Sequence, residues 1–153
     1  VPPVPLTLSF ANCYNRLVAH ILVVDDERDM VSLIKFLLEK DGHRVSTAFN
    51  GAEALALLGV EPADPNAAIP DLVVIDVMMP ILDGFSACAR LAQAPRTGSL
   101  PILVLTARSQ MRDLFQTASN VAAYIDKPFD PKKLRELIRR LLLPPARPEA
   151  DRA

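Results

Sequence analysis

Short, wholly apolar runs alternate along the chain with segments whose apolar residues recur every three or four positions. Ile21, Leu22, Val23 and Val24 form an unbroken apolar run closed by Asp25 and Asp26, the pattern of a strand buried on both faces. Met30, Leu33, Ile34, Leu37 and Leu38 follow at helical spacing until Asp41 and Gly42 stop the pattern. Residues 44–49 read as a second strand, and 52–58 as a short helix opened by Asn50 and Gly51. Leu72, Val73, Val74 and Ile75 make a third strand ending in Asp76; a helix covers 85–91, and a fourth strand covers 101–105 and ends in Thr106. A weaker helical pattern spans about 111–118, and Asn120 after it is a residue type that tolerates a left-handed helix cap. Ala123, Tyr124 and Ile125 form a brief fifth strand before Asp126, Lys127 and Pro128. Leu134, Leu137, Ile138, Leu141 and Leu142 mark a final amphipathic helix with Pro131 in its first turn. Residues 61–70 hold three prolines and no periodicity, and read as a loop that is long for its place between a helix and a strand.

Five strand–helix repeats with apolar strands imply an α/β fold, a doubly wound parallel sheet covered by helices on both faces. In such sheets the working site lies beyond the carboxyl ends of the strands. That rule singles out Asp25, Asp26, Asp76, Thr106 and Lys127, each at the end of a strand. The domain is expected over residues 20–143. Residues 1–19, with three prolines before Phe10 and no basic start, are read as an extension outside the fold and a poor signal peptide. Residues 144–153 are proline-rich and charged, and are read as a disordered tail.

Composition narrows the function classes. At 153 residues the chain has room for one core, and half of its residues are apolar. A net charge of −1 gives no strong field to hold nucleic acid or an acidic membrane. No apolar run approaches the roughly 18–20 residues that span a bilayer. Cys13 and Cys88 are too few for a disulfide framework, which points to a reducing, cytoplasmic setting.

The strand-end residues suggest a chemistry. Three crowded carboxylates raise one another's pKa unless a cation or the Lys127 ammonium relieves them. Hard oxygen donors without a nearby His or Cys favour Mg²⁺ over zinc or iron, with Mn²⁺ as the alternative ion. A hydroxyl (Thr106) and an ammonium (Lys127) add what a phosphoryl group requires, since phosphoryl transfer depends mainly on positioning and charge neutralisation. Each residue also has a plainer reading: Asp25 or Asp26 as a helix N-cap, Asp76 as a turn former, Thr106 as a surface strand end, Lys127 and Pro128 as a turn, and Met78 or Met79 as core filler. Taken together, five polar residues on one rim outweigh these.

At these positions the chain resembles the response-regulator receiver family of two-component signalling. The resemblance rests on Val23-Val24-Asp25-Asp26-Glu27, on the run from Asp76 through Met78-Met79-Pro80 to Asp83-Gly84-Phe85, on Leu105-Thr106-Ala107, and on Tyr124-Ile125-Asp126-Lys127-Pro128-Phe129. It covers about residues 20–143. It implies a flavodoxin-like (βα)5 fold with strand order 2-1-3-4-5, and Asp76 as the residue that is phosphorylated. By the same resemblance, Asp26, Asp76 and the Met78 carbonyl would hold Mg²⁺, with Asp25 acting through water. Thr106 and Lys127 would contact the phosphoryl group, Thr106 and Tyr124 would switch together, and the Lys127–Pro128 bond would be cis. The donor would be a sensor histidine kinase or a histidine phosphotransfer protein. The output would be a protein contact through the fourth helix, fifth strand and fifth helix, on a monomer or a phosphorylation-dependent dimer. Met78 and Arg108 would tune the lifetime of the phosphorylated state. The domain would catalyse its own phosphorylation and dephosphorylation but would otherwise be a switch and not an enzyme.

Two departures from the family stand out: the long 61–70 loop, and Asn120-Val121-Ala122 where the family usually has Gly-Ala. A haloacid-dehalogenase-like phosphatase would need a second Asp two positions after Asp76, where Met78 stands. A flavin or nucleotide binder would need a phosphate-cradling loop where Asp25-Asp26-Glu27 stands. A degenerate receiver would lack some of the five residues. The basic cluster Lys132, Lys133, Arg135, Arg139 and Arg140 reads as the solvated face of a helix, and no DNA-binding unit follows Leu143. The expectation is therefore a stand-alone receiver without direct DNA binding or membrane attachment.

Overall fold

In the computed structural model, which describes residues 18–106 and 119–143, the apolar runs form one sheet of five parallel strands. The elements are β1 (His20–Val24), α1 (Arg28–Lys40), β2 (Arg44–Ala48), α2 (Gly51–Leu57), β3 (Leu72–Asp76), α3 (Gly84–Gln93), β4 (Ile102–Thr106), β5 (Val121–Asp126) and a C-terminal helix (Pro131–Leu142). The strand order is β2-β1-β3-β4-β5. It is the order expected of the flavodoxin-like doubly wound fold. The weaker helix over 111–118, Arg108 and the two ends of the chain lie outside the described residues.

Alternation along the strands sorts the core into two layers. Leu22, Val24, Val73, Ile75, Ile102 and Val104 face α2 and α3, where Ala54, Leu55, Leu58, Ala87, Cys88 and Leu91 meet them. Ile21, Val23, Leu72, Val74, Leu103 and Leu105 face the other way, against Ile34 and Leu38 of α1 and Leu134 and Ile138 of the C-terminal helix. Strands covered on both sides have no polar face, so β1 is apolar after His20, and β3 and β4 are apolar up to their last residues, Asp76 and Thr106. β2 and β5 are the edges and are less buried.

Local chemistry places the helix ends. Asp83 accepts the Ser86 N–H at 2.7 Å and starts α3, and Asn50 accepts the Glu53 N–H at 2.8 Å and starts α2. Asp130 accepts the Lys132 N–H at 3.0 Å, ahead of a helix that opens with Pro131. α1 has Glu27 at its N-cap without a side-chain cap, so neither Asp25 nor Asp26 serves as that cap. Asn120 differs from the expectation too. Ile81 is the non-glycine residue of positive φ among those described, while Asn120 is buried, its side-chain amide without a hydrogen-bond partner. Its carbonyl instead accepts the Ile102 N–H at 3.0 Å, which draws the residue to the start of the β4–β5 pairing.

The long loop after α2 is strapped to α3 and the turn beyond it. Arg90 pairs with Glu61 at 2.7 Å, and Arg96 donates to the carbonyls of Pro65 and Ala67. On the other face, the Arg135 guanidinium grips Asp41 at the end of α1, holding that carboxyl below its ordinary range. Among the described residues no helix is long and apolar enough to cross a membrane.

Candidate phosphoryl-acceptor site

The sheet's carboxyl rim gathers the acids. β1 and β3 are neighbours in register, with Val24 opposite Ile75, so the residues that follow them emerge side by side. One carboxylate oxygen each of Asp25, Asp26 and Asp76 lies within 4.8 Å of the others. Their surroundings differ sharply. Asp25 is fully buried, Asp76 is 7% exposed, and Asp26 faces solvent.

Lys127 enters from the far side. β5 lies next to β4, and the Lys127 N–H bonds the Thr106 carbonyl at 2.7 Å, which fixes the start of the lysine's loop at the same rim. From there Nζ reaches Asp25 Oδ2 at 2.9 Å and Asp76 Oδ1 at 3.4 Å. The Lys127–Pro128 bond is cis. Burial opposes the lysine's charge, but the hydrogen bond and charges of Asp25 and Asp76 outweigh it and raise its pKa.

For Asp76 the balance goes the other way. Burial first, and the Asp25 charge second, push its carboxyl up to about 6 despite Lys127 and the Val77 N–H, which donates to Oδ1 at 2.9 Å. Among the described residues, the Lys127 ammonium is therefore insufficient for this group of carboxylates. Oxygen donors only, crowded and under-neutralised, fit a hard divalent cation such as Mg²⁺.

Tight backbone packing holds the loop that follows Asp76. A Cβ on Gly84 would stand 2.1 Å from the Asp76 carbonyl oxygen, so α3 begins against the end of β3 only because residue 84 lacks a side chain. The Gly84 N–H returns to the Val77 carbonyl at 2.8 Å, and the Gly51 N–H holds the Leu82 carbonyl at 2.9 Å.

The remaining candidates have these places. Thr106 ends β4 and is 1% exposed, so it is not a surface strand end. Asp76 pairs in register with Leu105, one residue before it. Tyr124 lies in β5 opposite Val104, partly buried against the α2–α3 side of the core. Met78 follows β3 and is 64% exposed, whereas Met79 packs on the core and is the filler of the pair. Sequence reasoning singled out neither Gly84 nor Ile81 of this loop as a constrained position. The glycine belongs to the motif shared with the receiver family, but the φ of 71° at Ile81 has no signal in a β-branched residue.

Comparisons with known proteins agree with this geometry. Residues 21–139 match the response regulator receiver domain. The chain is 40% identical over 125 residues to the "Uncharacterized 14.6 kDa protein in sodA1 3'region" of Leptolyngbya boryana, covering 80% of this chain and 89% of that one. It is 38% identical over 123 residues to the alkaline phosphatase synthesis transcriptional regulatory protein PhoP of Bacillus subtilis, again over 80% of this chain. It spans about half the length of PhoP (48%) and of other curated transcriptional regulators that it matches. The structure of the chemotaxis response regulator CheY4 of Vibrio cholerae superposes with a TM-score of 0.71 at 28% identity, over 82% of this chain and 99% of that one. With an acid cluster, a strand-end threonine and a lysine on the carboxyl rim of a 2-1-3-4-5 sheet, the chain belongs to the response regulator receiver domain family.

Proposed function

We propose that Asp76 is the phosphoacceptor, taking its phosphoryl group from the phosphohistidine of a sensor histidine kinase or a histidine phosphotransfer protein. An Asp76 carboxylate oxygen forms the new bond to phosphorus, the P–N bond to imidazole breaks, and the imidazole leaves. Attack by water on the aspartyl phosphate later releases inorganic phosphate and restores the carboxylate. Asp26, Asp76 and the backbone carbonyl of Met78 would hold Mg²⁺ or Mn²⁺, with Asp25 contributing through water. Such an ion supplies charge neutralisation on the phosphoryl oxygens. Lys127 supplies a further positive charge to the same oxygens, and the Thr106 hydroxyl binds them on the β4 side. The observation that carries this reading is the Lys127 ammonium at 2.9 Å from Asp25 and 3.4 Å from Asp76, within a three-carboxylate cluster.

Phosphorylation is then a local charge event that biases a switch. Thr106 and Tyr124 sit on adjacent strands, so a shift of the threonine toward the phosphoryl group is felt along β4 and β5. The output is a protein contact through β5, the C-terminal helix and the segment between β4 and β5. We read this cytoplasmic receiver domain as a relay or adaptor that acts through a protein contact.

The test is incubation with acetyl phosphate and Mg²⁺, followed by intact mass of wild type and Asp76→Asn. One phosphoryl mass on wild type alone is the expected result. An equal gain on both proteins, or on neither, refutes the assignment.

A further inference from the structure

One stripe of α1 is complementary to itself. Val31, Ile34 and Leu38 of that helix turn into the core, and Met30 packs against it. Leu33 and Phe36 do not: they are 43% and 63% exposed and lie three positions apart on one outward face. Asp29 stands one turn before Leu33, and Lys40 one turn after Phe36. The four residues thus follow one another along that face at intervals of four, three and four. Asp29 and Lys40 are exposed, and among the described residues neither has an ion pair. Lys35 and Glu39, off this stripe, pair with each other at 3.7 Å.

Each feature alone is ordinary. Single exposed apolar side chains are common, and an acid in the first turn with a base in the last complements the helix dipole. The dipole does not decide which side of the helix carries those charges, nor does it call for two large apolar side chains between them. Order is what matters here. The stripe runs acid, apolar, apolar, base, and a second copy laid antiparallel presents base, apolar, apolar, acid. A two-fold axis at the midpoint between Leu33 and Phe36 sets Asp29 against Lys40 of the second copy at both ends. The same axis sets Leu33 against Phe36 of the second copy, twice, in the middle. A parallel pairing would oppose acid to acid and base to base.

We propose that this face of α1 is a self-association surface, on which a second copy of the chain packs antiparallel through Leu33 and Phe36 between two Asp29–Lys40 ion pairs. The intervals are those of a left-handed coiled pair, whose helices cross at about 20°. Three turns of helix, about 16 Å long, cover less than the roughly 1,200 Å² at which stable interfaces begin. The dimer is therefore weak. The surface is separate from the Asp76 cluster, and the antiparallel arrangement turns the carboxyl rims of the two copies in opposite directions.

The test is sedimentation equilibrium of the full chain from about 10 µM to about 1 mM, the range in which weak interfaces populate. Wild type should self-associate. Asp29→Lys and Lys40→Asp should each raise the dimer Kd at least about tenfold, because a two-fold pair contains the altered contact twice. Phe36→Ala should raise it by at least about as much, with Tm held because the side chain is exposed. The two single-charge variants mixed together should associate, since every Lys then meets an Asp. The double variant Asp29→Lys/Lys40→Asp should recover the wild-type Kd. Both reversals oppose the helix dipole, so that recovery cannot come from a steadier helix. A wild type that stays monomeric to about 1 mM overturns the proposal and leaves the stripe to a different protein. Self-association that survives Phe36→Ala and both single reversals assigns it to another surface. Single variants that dissociate without recovery in the mixture or in the double variant overturn the antiparallel register.

Discussion

Replacing the Asp76 carboxylate should stabilise the metal-free protein, and only where the carboxylate is ionised. Asp76 is almost buried, and its pKa rises from 3.8 to about 6 on folding, burial being the largest cause and the Asp25 charge the second. A raised carboxyl pKa means that the folded chain binds the proton more tightly than the unfolded chain. The stability from this group is complete below about pH 3.8, declines as pH rises toward 6, and is gone above. At about 1.36 kcal/mol for each pH unit between the two values, the loss is about 3 kcal/mol at neutral pH. Asp76→Asn keeps the shape and removes the ionisation. In EDTA, urea denaturation should therefore find Asp76→Asn more stable than wild type by roughly 1–3 kcal/mol at pH 7.5, the lower end allowing for relaxation around the charge. The gap should shrink to near zero by about pH 4, following the wild-type titration. A difference that is constant between pH 4 and 8, or a less stable variant at pH 7.5, would refute the view that Asp76 is an under-neutralised buried charge.

Three other perturbations test the same site. Lys127→Met leaves the fully buried Asp25 without its ammonium, and should cost about 3 kcal/mol in denaturant unfolding at pH 7.5, in the range for breaking a buried pair; a loss under 1 kcal/mol would place that pair among the screened surface ones. Asp26→Ala changes an exposed side chain, so Tm should hold while Mg²⁺-dependent acetyl phosphate labelling is abolished; retained labelling would put the ion elsewhere. Gly84→Ala drives a Cβ to 2.1 Å from the Asp76 carbonyl oxygen, and should lower stability by about 3 kcal/mol and slow labelling, since main chain must move at the acceptor itself; wild-type Tm would mean that the loop is softer than its packing implies.

The sheet could be read from the sequence because its central strands are buried on both faces. β1, β3 and β4 appear as unbroken apolar runs ending in Asp25, Asp76 and Thr106, and a parallel sheet puts those ends on one rim. The convergence of the three acids with Lys127 follows from strand order plus position, and both leave a trace in the pattern. Features set by distant partners left none. The 61–70 loop appeared only as aperiodic and proline-rich, although Arg90 and Arg96 fasten it to the far end of α3 and the turn that follows. α3 starts at Gly84 because Asp83 caps it, whereas apolar spacing alone began that helix at Phe85. Asn120 was read by its tolerance of positive φ, but the bond from the Ile102 N–H to its carbonyl holds it buried beside the sheet instead. The positive φ fell on Ile81, where neighbouring carbonyls and amides override side-chain preference.

The division of labour among the carboxylates follows from where the Lys127 ammonium sits. Lys127 is closer to Asp25 than to Asp76, and Asp25 is the more deeply buried of the two. Buried charge without a partner is costly, so the lysine is committed first to Asp25, and the two act as a fixed strut between β1 and the end of β5. Asp76 receives what is left over. Its pKa of about 6 makes it more basic than an ordinary aspartate, yet at pH 7 it is still ionised by about ten to one. That combination suits a nucleophile, because a more basic oxygen attacks phosphorus better provided it is deprotonated. Among the described residues the same imbalance leaves the cluster short of positive charge, which a divalent ion would relieve. Moving the ammonium fully onto Asp76 would make that carboxylate less basic and strand Asp25. The 2.9 and 3.4 Å separations are thus unequal in the direction that keeps residue 76 basic.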